Sequence, residues 1–172
     1  MAARGAEAIV KAADAIVAAF ERDGAVLVFG NGGSAAEAQH FVAELVGRYE
    51  TERPGRRAIA LTTDTSVLTA ASNDYGFDRV FARQIEALGR RGDVALAITT
   101  SGRSANVLRG IETANARGLT TIALTGRDGA RAAQLAAIHV NVAEQRTALA
   151  QEVHLTVLHV LCELIEEGLQ RD

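Results

Sequence analysis

The chain has 172 residues, 48% of them hydrophobic, with 21 acidic against 18 basic side chains and a formal net charge of −3. That length suffices for one domain with a substantial core, and the composition is that of an ordinary soluble globular protein. The charge balance argues against both a basic nucleic-acid surface and an acidic disordered tail. The one cysteine, Cys162, can form no internal disulfide, which suits the cytoplasm. It sits in the apolar run LHVLCELI and is expected to be a buried small hydrophobe. With no signal-peptide pattern and no uninterrupted apolar run of membrane-spanning length, a cytoplasmic protein is expected, with neither a membrane nor a nucleic-acid partner.

In chain order, residues 4–22 read as a helix, with Ala8, Ile9, Ala12, Ile16, Ala19 and Phe20 near a single face. Asp23 and Gly24 end it. Residues 25–29, AVLVF, form a short apolar run of the buried-strand kind. Gly30, Asn31, Gly32 and Gly33 then break the pattern and let the backbone turn closely around a ligand. Ser34 is expected as the N-cap of a helix over 34–46, with Glu37 completing a capping box. Residues 47–57 read as a polar link containing Pro54, the only proline.

A second strand is expected over 58–61 and an exit turn over 62–64. A short helix over 66–71 and a polar loop over 72–76 follow. A helix over 77–88 then has Val80, Ile85 and Leu88 as candidate core positions. The third strand, 94–98, leads into the loop Thr99-Thr100-Ser101-Gly102-Arg103-Ser104 and a helix over 105–117. A strand over 120–124, a helix near 130–136 and a strand over 138–142 precede a long amphipathic helix over 148–169. Apolar strands alternating with helices predict an α/β three-layer sandwich, a five-stranded parallel sheet flanked by helices, as one domain over 1–172.

Three stretches could carry chemistry. The first is the glycine turn, followed by a helix N-terminus that favours anions and then by His40 and Glu44 at i,i+4 on one helix face. That pair suits acid/base work or metal binding, and the turn matches neither a GxGxxG nor a Walker loop. The second is TTSGRS. Its Thr99, Thr100, Ser101 and Ser104 offer hydroxyls at the carboxyl end of a strand, where α/β sheets bind ligands. Such a turn can be only a capped loop, but its place after the strand favours a phosphate. The third is QEVHLTVLH, where Gln151 and His154 share a helix face and His159 lies more than two turns from Gln151. Helical histidines among apolar residues usually pack, whereas two of them together with His40 begin to look like ligands or acid/base groups. His139, on the fifth strand, reads as structural or exposed.

Taken together, GNGGSAAEAQHFVAEL, SNDYGF, TTSGRSANV and QEVHLTVLH, in this order, resemble the sugar isomerase (SIS) domain of phosphoheptose isomerases over nearly the whole chain. The resemblance implies a flavodoxin-like SIS fold. It also implies an aldose–ketose isomerase converting sedoheptulose 7-phosphate to D-glycero-D-manno-heptose 7-phosphate through an enediol. Carried onto this chain, the sugar loop falls on Asn31, Gly32, Gly33 and Ser34, with a further sugar contact at Asn73 and Asp74. The phosphate loop falls on Thr99, Thr100, Ser101 and Ser104. Zinc ligands fall on His40, Glu44, Gln151 and His159. Glu44 and His159 are also the catalytic pair, and Glu44 and Gln151 also contact substrate.

Departures from the family pattern are specific. Thr99 stands where a serine is usual and keeps the hydroxyl. Ala148 and Leu149 stand before Gln151 where an acidic or basic residue is common, which bears on sugar preference. The chain also begins about one helix later than is usual, which bears on subunit packing. A second family branch, adaptors of the bacterial replication initiator, is resembled by ETERP at 50–54 and AIALTTD, but its members tend to lack the full acid/base set.

Gln151 and His159 are eight residues apart, about 12 Å along a helix and about 80° around it. If both serve one site, the second must come from a neighbouring subunit. The family implies a homotetramer with interfacial active sites. Leu155, Leu158, Leu161 and Leu164 are expected to support helix packing between chains.

Overall fold

The computed structural model describes residues 2–170, with side chains from residue 5 onward. Its sheet has five parallel strands: β1 Val26–Gly30, β2 Ala58–Ala60, β3 Val94–Thr99, β4 Thr120–Gly126 and β5 Ile138–Val142. The helices are α1 Ala2–Glu21, α2 Gly33–Val46, α3 Thr65–Tyr75, α4 Val80–Leu88, α5 Ala105–Ala116, α6 Ala130–Leu135 and α7 Thr147–Leu169. One 3-10 turn, Phe77–Arg79, leads into α4.

The strands lie in the order β2-β1-β3-β4-β5. Val26 is in register with Ala58 on one side and Val94 on the other, and Gly30 pairs with Ile98. Because β1 and β3 are covered on both faces, VLVFG and VALAIT are buried at every position, as a doubly covered parallel sheet requires. Alternate residues go to opposite cores. Val26, Val28, Leu96 and Ile98 pack with Ile16, Phe41, Leu158 and Leu161 from α1, α2 and α7. Leu27, Phe29, Ala95 and Ala97 pack with Phe81, Ile85, Val107 and Ile111 from α4 and α5. The result is the expected three-layer sandwich. Chain order reverses between β1 and β3, so a crevice opens beyond their carboxyl ends, the usual ligand position in such sheets.

Several expectations are corrected. The helix expected over 66–71 runs from Thr65 to Tyr75, capped by Asp64, which accepts from the Val67 N–H at 3.0 Å. Asn73 and Asp74 are therefore helical rather than in a loop. Leu88 is 45% exposed, because it ends α4 at the rim of a surface groove instead of facing the sheet.

Helix α2 begins at Gly33, with Gly32 as N-cap at φ 57° and no side-chain cap. A positive φ favours glycine at that position, so Ser34 is already inside the helix and the capping box does not form. Glu37 instead turns inward toward α7. Leu158 and Leu161 are fully buried in the chain's own core and are not free to pack between chains. The large apolar side chains exposed on α7 are Val153 and Val160.

Helix α7 is long and apolar enough by composition to cross a membrane. It packs as a core helix, burying Ala150, Leu158, Leu161, Cys162 and Ile165.

Candidate active site

At the crevice beyond β1 and β3, the glycine turn and the hydroxyl loop line one cavity of about 300 Å³. Asn31, Gly32, Gly33 and Ser34 contribute from one side, Thr99, Thr100, Ser101 and Ser104 from the other, and Gln151 from α7 closes it. A Cβ at Gly33 would collide with the Gln151 carboxamide, so glycine here lets α7 approach the start of α2.

The two loops are braced by a side chain that sequence reasoning missed. Asn31 Nδ2 donates to Asn106 Oδ1 at 2.9 Å, and Asn106 Nδ2 donates back to Asn31 Oδ1 at 2.8 Å. Asn106 Oδ1 also accepts from the Val107 N–H at 2.9 Å, which fixes its orientation at the start of α5. An asparagine in the first turn of a helix after a ligand loop was the available signal. The Asn31 amide therefore has one N–H and one lone pair left for a ligand.

Within the hydroxyl loop, Thr99 Oγ1 accepts from the Gly102 N–H at 3.3 Å, and Ser101 Oγ accepts from the Arg103 N–H at 3.2 Å. Ser104 is the N-cap of α5 but makes no side-chain cap bond. Hydroxyls and a helix N-terminus converging on one cavity are groups able to hold an anion such as a phosphate.

Further along α2 and α7 lies a second cluster. His40 and His159 bring their Nε2 atoms to 2.9 Å, and Glu44 Oε1 is 3.5 Å from the same His40 nitrogen. The two imidazoles meet edge-on, with ring centroids 5.1 Å apart. Tyr49 stacks on the face of the His159 ring, with centroids 5.8 Å apart. Cys162 is buried as expected; burial, followed by the nearby Glu44 charge, pushes its thiol up to about 12, so it stays a neutral thiol.

Two nitrogen ligands about 2.0–2.1 Å from a tetrahedral zinc lie about 3.3 Å apart. The His40–His159 and His40–Glu44 separations bracket that spacing, and the donor types suit zinc. As they stand, these three side chains do not enclose one point, and among the described residues no group of three or more His, Cys, Asp or Glu does.

Not every candidate joins these clusters. Gln151 belongs to the cavity, apart from His159, as the helical geometry required. Asn73 and Asp74 bond to each other at 2.8 Å, are exposed, and lie outside the cavity. Asp74 lines a separate groove of about 490 Å³ between α3 and α4. His154 is fully buried, with its Nδ1 3.9 Å from Glu37 Oε2, and neither its nitrogens nor that oxygen has a hydrogen-bond partner. In the chain it falls between Gln151 and His159 on α7, and it hydrogen-bonds to neither the cavity nor the imidazole cluster. His139 is half-buried and shares a 2.7 Å hydrogen bond with Thr125 Oγ1, a structural role, and burial lowers its pKa.

A hydroxyl-lined cavity at the switch point of a parallel sheet, with imidazoles and a carboxylate on the flanking helices, defines an α/β protein with a ligand site suited to an anion. The family model for the SIS domain matches residues 1–126. The phosphoheptose isomerase of Aquifex aeolicus is 56% identical over 162 residues, covering 94% of this chain and 85% of that protein. That of Laribacter hongkongensis is 53% identical over 161 residues, covering 92% and 82%. The solved structure of phosphoheptose isomerase GmhA from Neisseria gonorrhoeae superposes with a TM-score of 0.88 at 48% identity, covering 94% of this chain and 86% of that one. The chain belongs to the phosphoheptose isomerase family of SIS-domain proteins, and it is an isomerase acting on a sugar phosphate.

Proposed function

We propose that the protein converts sedoheptulose 7-phosphate to D-glycero-D-manno-heptose 7-phosphate through a cis-enediol. The observation that carries this reading is the cluster of His40, Glu44 and His159, a complete acid/base set on α2 and α7, the two helices that also contribute to the anion cavity. The alternative, an adaptor of the replication initiator, has no need of such a set, and relatives named as isomerases give it no support.

In this account Thr99, Thr100, Ser101 and Ser104, with the N–H groups at the start of α5, hold the phosphate. Asn31, Gly32, Gly33, Ser34 and Gln151 orient the sugar, and Asn73 and Asp74 add contacts from a neighbouring subunit. Glu44 removes the C1 proton of the ketose and returns a proton to C2. His159 serves the oxygens, as O1 loses a proton and the carbonyl O2 gains one. Once side-chain rotation brings them around one point, His40, Glu44 and His159 would hold a zinc ion, with Gln151 of a neighbouring subunit as the fourth ligand. When bound, the metal supplies polarisation of a sugar oxygen.

The placement of Gln151 and Asp74 away from the imidazole cluster supports a homo-oligomer, a tetramer in this reading, whose active sites are shared between subunits. Incubation with sedoheptulose 7-phosphate, with and without zinc, is expected to yield an aldose phosphate. No conversion under either condition would overturn the assignment.

A further inference from the structure

Residues 47–57 form neither helix nor strand, yet their middle is tied down by one carboxylate. Glu166, 4% exposed on α7, accepts from the backbone N–H groups of Tyr49 at 3.1 Å, Glu50 at 3.2 Å and Thr51 at 2.9 Å. It also accepts from Thr51 Oγ1 at 2.8 Å and Arg53 Nε at 3.1 Å. Arg53 in turn donates to the carbonyl oxygens of Glu44 at 2.7 Å and Leu45 at 3.0 Å, the end of α2. The Arg53 and Glu166 side chains are only 9% and 5% exposed. Burying such a pair contributes little net stability, because desolvation offsets the attraction. What it fixes is geometry. It joins α2, α7 and the link at one point, and so aims the Tyr49 ring.

Glu166 follows His159 by seven residues, about two turns, so both lie on nearly the same face of α7. The link leaves Glu166 and returns to the helix at His159, where the Tyr49 ring stacks at 5.8 Å and 24°. The Nε2 edge of that imidazole meets His40 at 2.9 Å, so face and edge are both held. A histidine side chain with no wall on one side would sample other rotamers.

We infer that Tyr49, anchored through Glu166 and Arg53, is a positioning residue that holds the His159 imidazole in its working orientation. The inference rests on the acid/base role proposed for His159. The phenol hydroxyl is not required; the ring is. Burial, then the neighbouring Glu50 charge, raises the Tyr49 pKa, so its ring is neutral when it stacks.

The test compares Tyr49→Leu with Tyr49→Phe. The leucine variant should lose about tenfold or more in kcat, with KM for the sugar phosphate within about twofold, because the phosphate cavity is untouched. The phenylalanine variant should recover most of the kcat. The ring-proton resonances of His159, displaced by the Tyr49 ring current, should move in the leucine variant and hold in the phenylalanine variant. Tyr49→Gln serves for both readouts if the leucine variant does not fold. A non-aromatic variant with wild-type kcat, a KM that rises as far as kcat falls, or unmoved His159 resonances would overturn the inference. So would a phenylalanine variant as impaired as the leucine one. If the wild type shows no isomerisation, the proposed function fails, and the His159 resonances still decide the stacking.

Discussion

His40 and His159 stand 119 residues apart in the chain, and their Nε2 atoms meet at 2.9 Å. One nitrogen must donate and the other accept, so the two rings are in opposite tautomers when both are neutral. Glu44 approaches the same His40 nitrogen at 3.5 Å, which makes the cluster a product of one chain. Gln151 is not part of it.

That division decides which subunits should complement. Mixed chains carrying Glu44→Gln and His159→Ala should remain inactive together, since each chain supplies both positions to one cluster. Mixed chains carrying Gln151→Ala and His159→Ala should regain activity once subunits exchange, because an intact cluster can then meet an intact cavity. Failure of the second mixture despite demonstrated exchange would contradict a shared site.

Ser101→Ala and Ser104→Ala should act mainly on KM. A hydrogen bond to a charged group contributes about 1.5–3 kcal/mol, so each variant should raise KM by about 10- to 150-fold. The larger effect is expected at Ser104, whose hydroxyl has no cap bond to maintain, whereas the Ser101 oxygen also accepts from the Arg103 N–H. Steady-state kinetics with kcat reduced at unchanged KM would place the loop at the reacting end of the sugar instead.

Stability should fall in acid through Glu166. Burial alone would raise this carboxyl, but hydrogen bonds from Thr51, Tyr49 and Glu50 outweigh it and hold the pKa below its ordinary value of 4.5. A carboxyl depressed on folding adds stability that is complete above 4.5 and is lost as pH falls toward the lower folded value. Denaturant unfolding from pH 6 down to pH 3 should therefore show a steeper loss for the wild type than for Glu166→Gln. Equal slopes would remove Glu166 as the acid-sensitive group.

Periodicity made the layers legible. Ala12, Ile16, Ala19 and Phe20 are buried as their spacing requires, and the apolar runs of β1 and β3 could fit only a doubly covered sheet. The glycine turn and the hydroxyl loop were legible because each needs a particular residue type after a strand. The end of α3 was not, since Ser72, Asn73 and Asp74 carry loop propensity, yet the helix runs through them to its C-cap at Gly76. Leu88 misled because one apolar residue at a helix end fits either a core or a groove rim.

Glu37 fits a capping box in pattern, but Gly32 with its positive φ starts the helix earlier. The Arg53–Glu166 pair and the Tyr49–His159 stack were invisible because they join an irregular link to a helix more than a hundred residues on. No local pattern encodes such a contact.

Conversion of sedoheptulose 7-phosphate in D₂O, by the wild type and by Glu44→Gln, tests the central claim most directly. The wild type should produce an aldose 7-phosphate carrying deuterium at C2, because the enediol is reprotonated there by a group in exchange with solvent. Glu44→Gln should fold normally, yet give neither product nor deuterium exchange at C1 of the recovered ketose. A wild type that yields no aldose phosphate even with zinc supplied, or a glutamine variant that exchanges at the wild-type rate, would contradict the account.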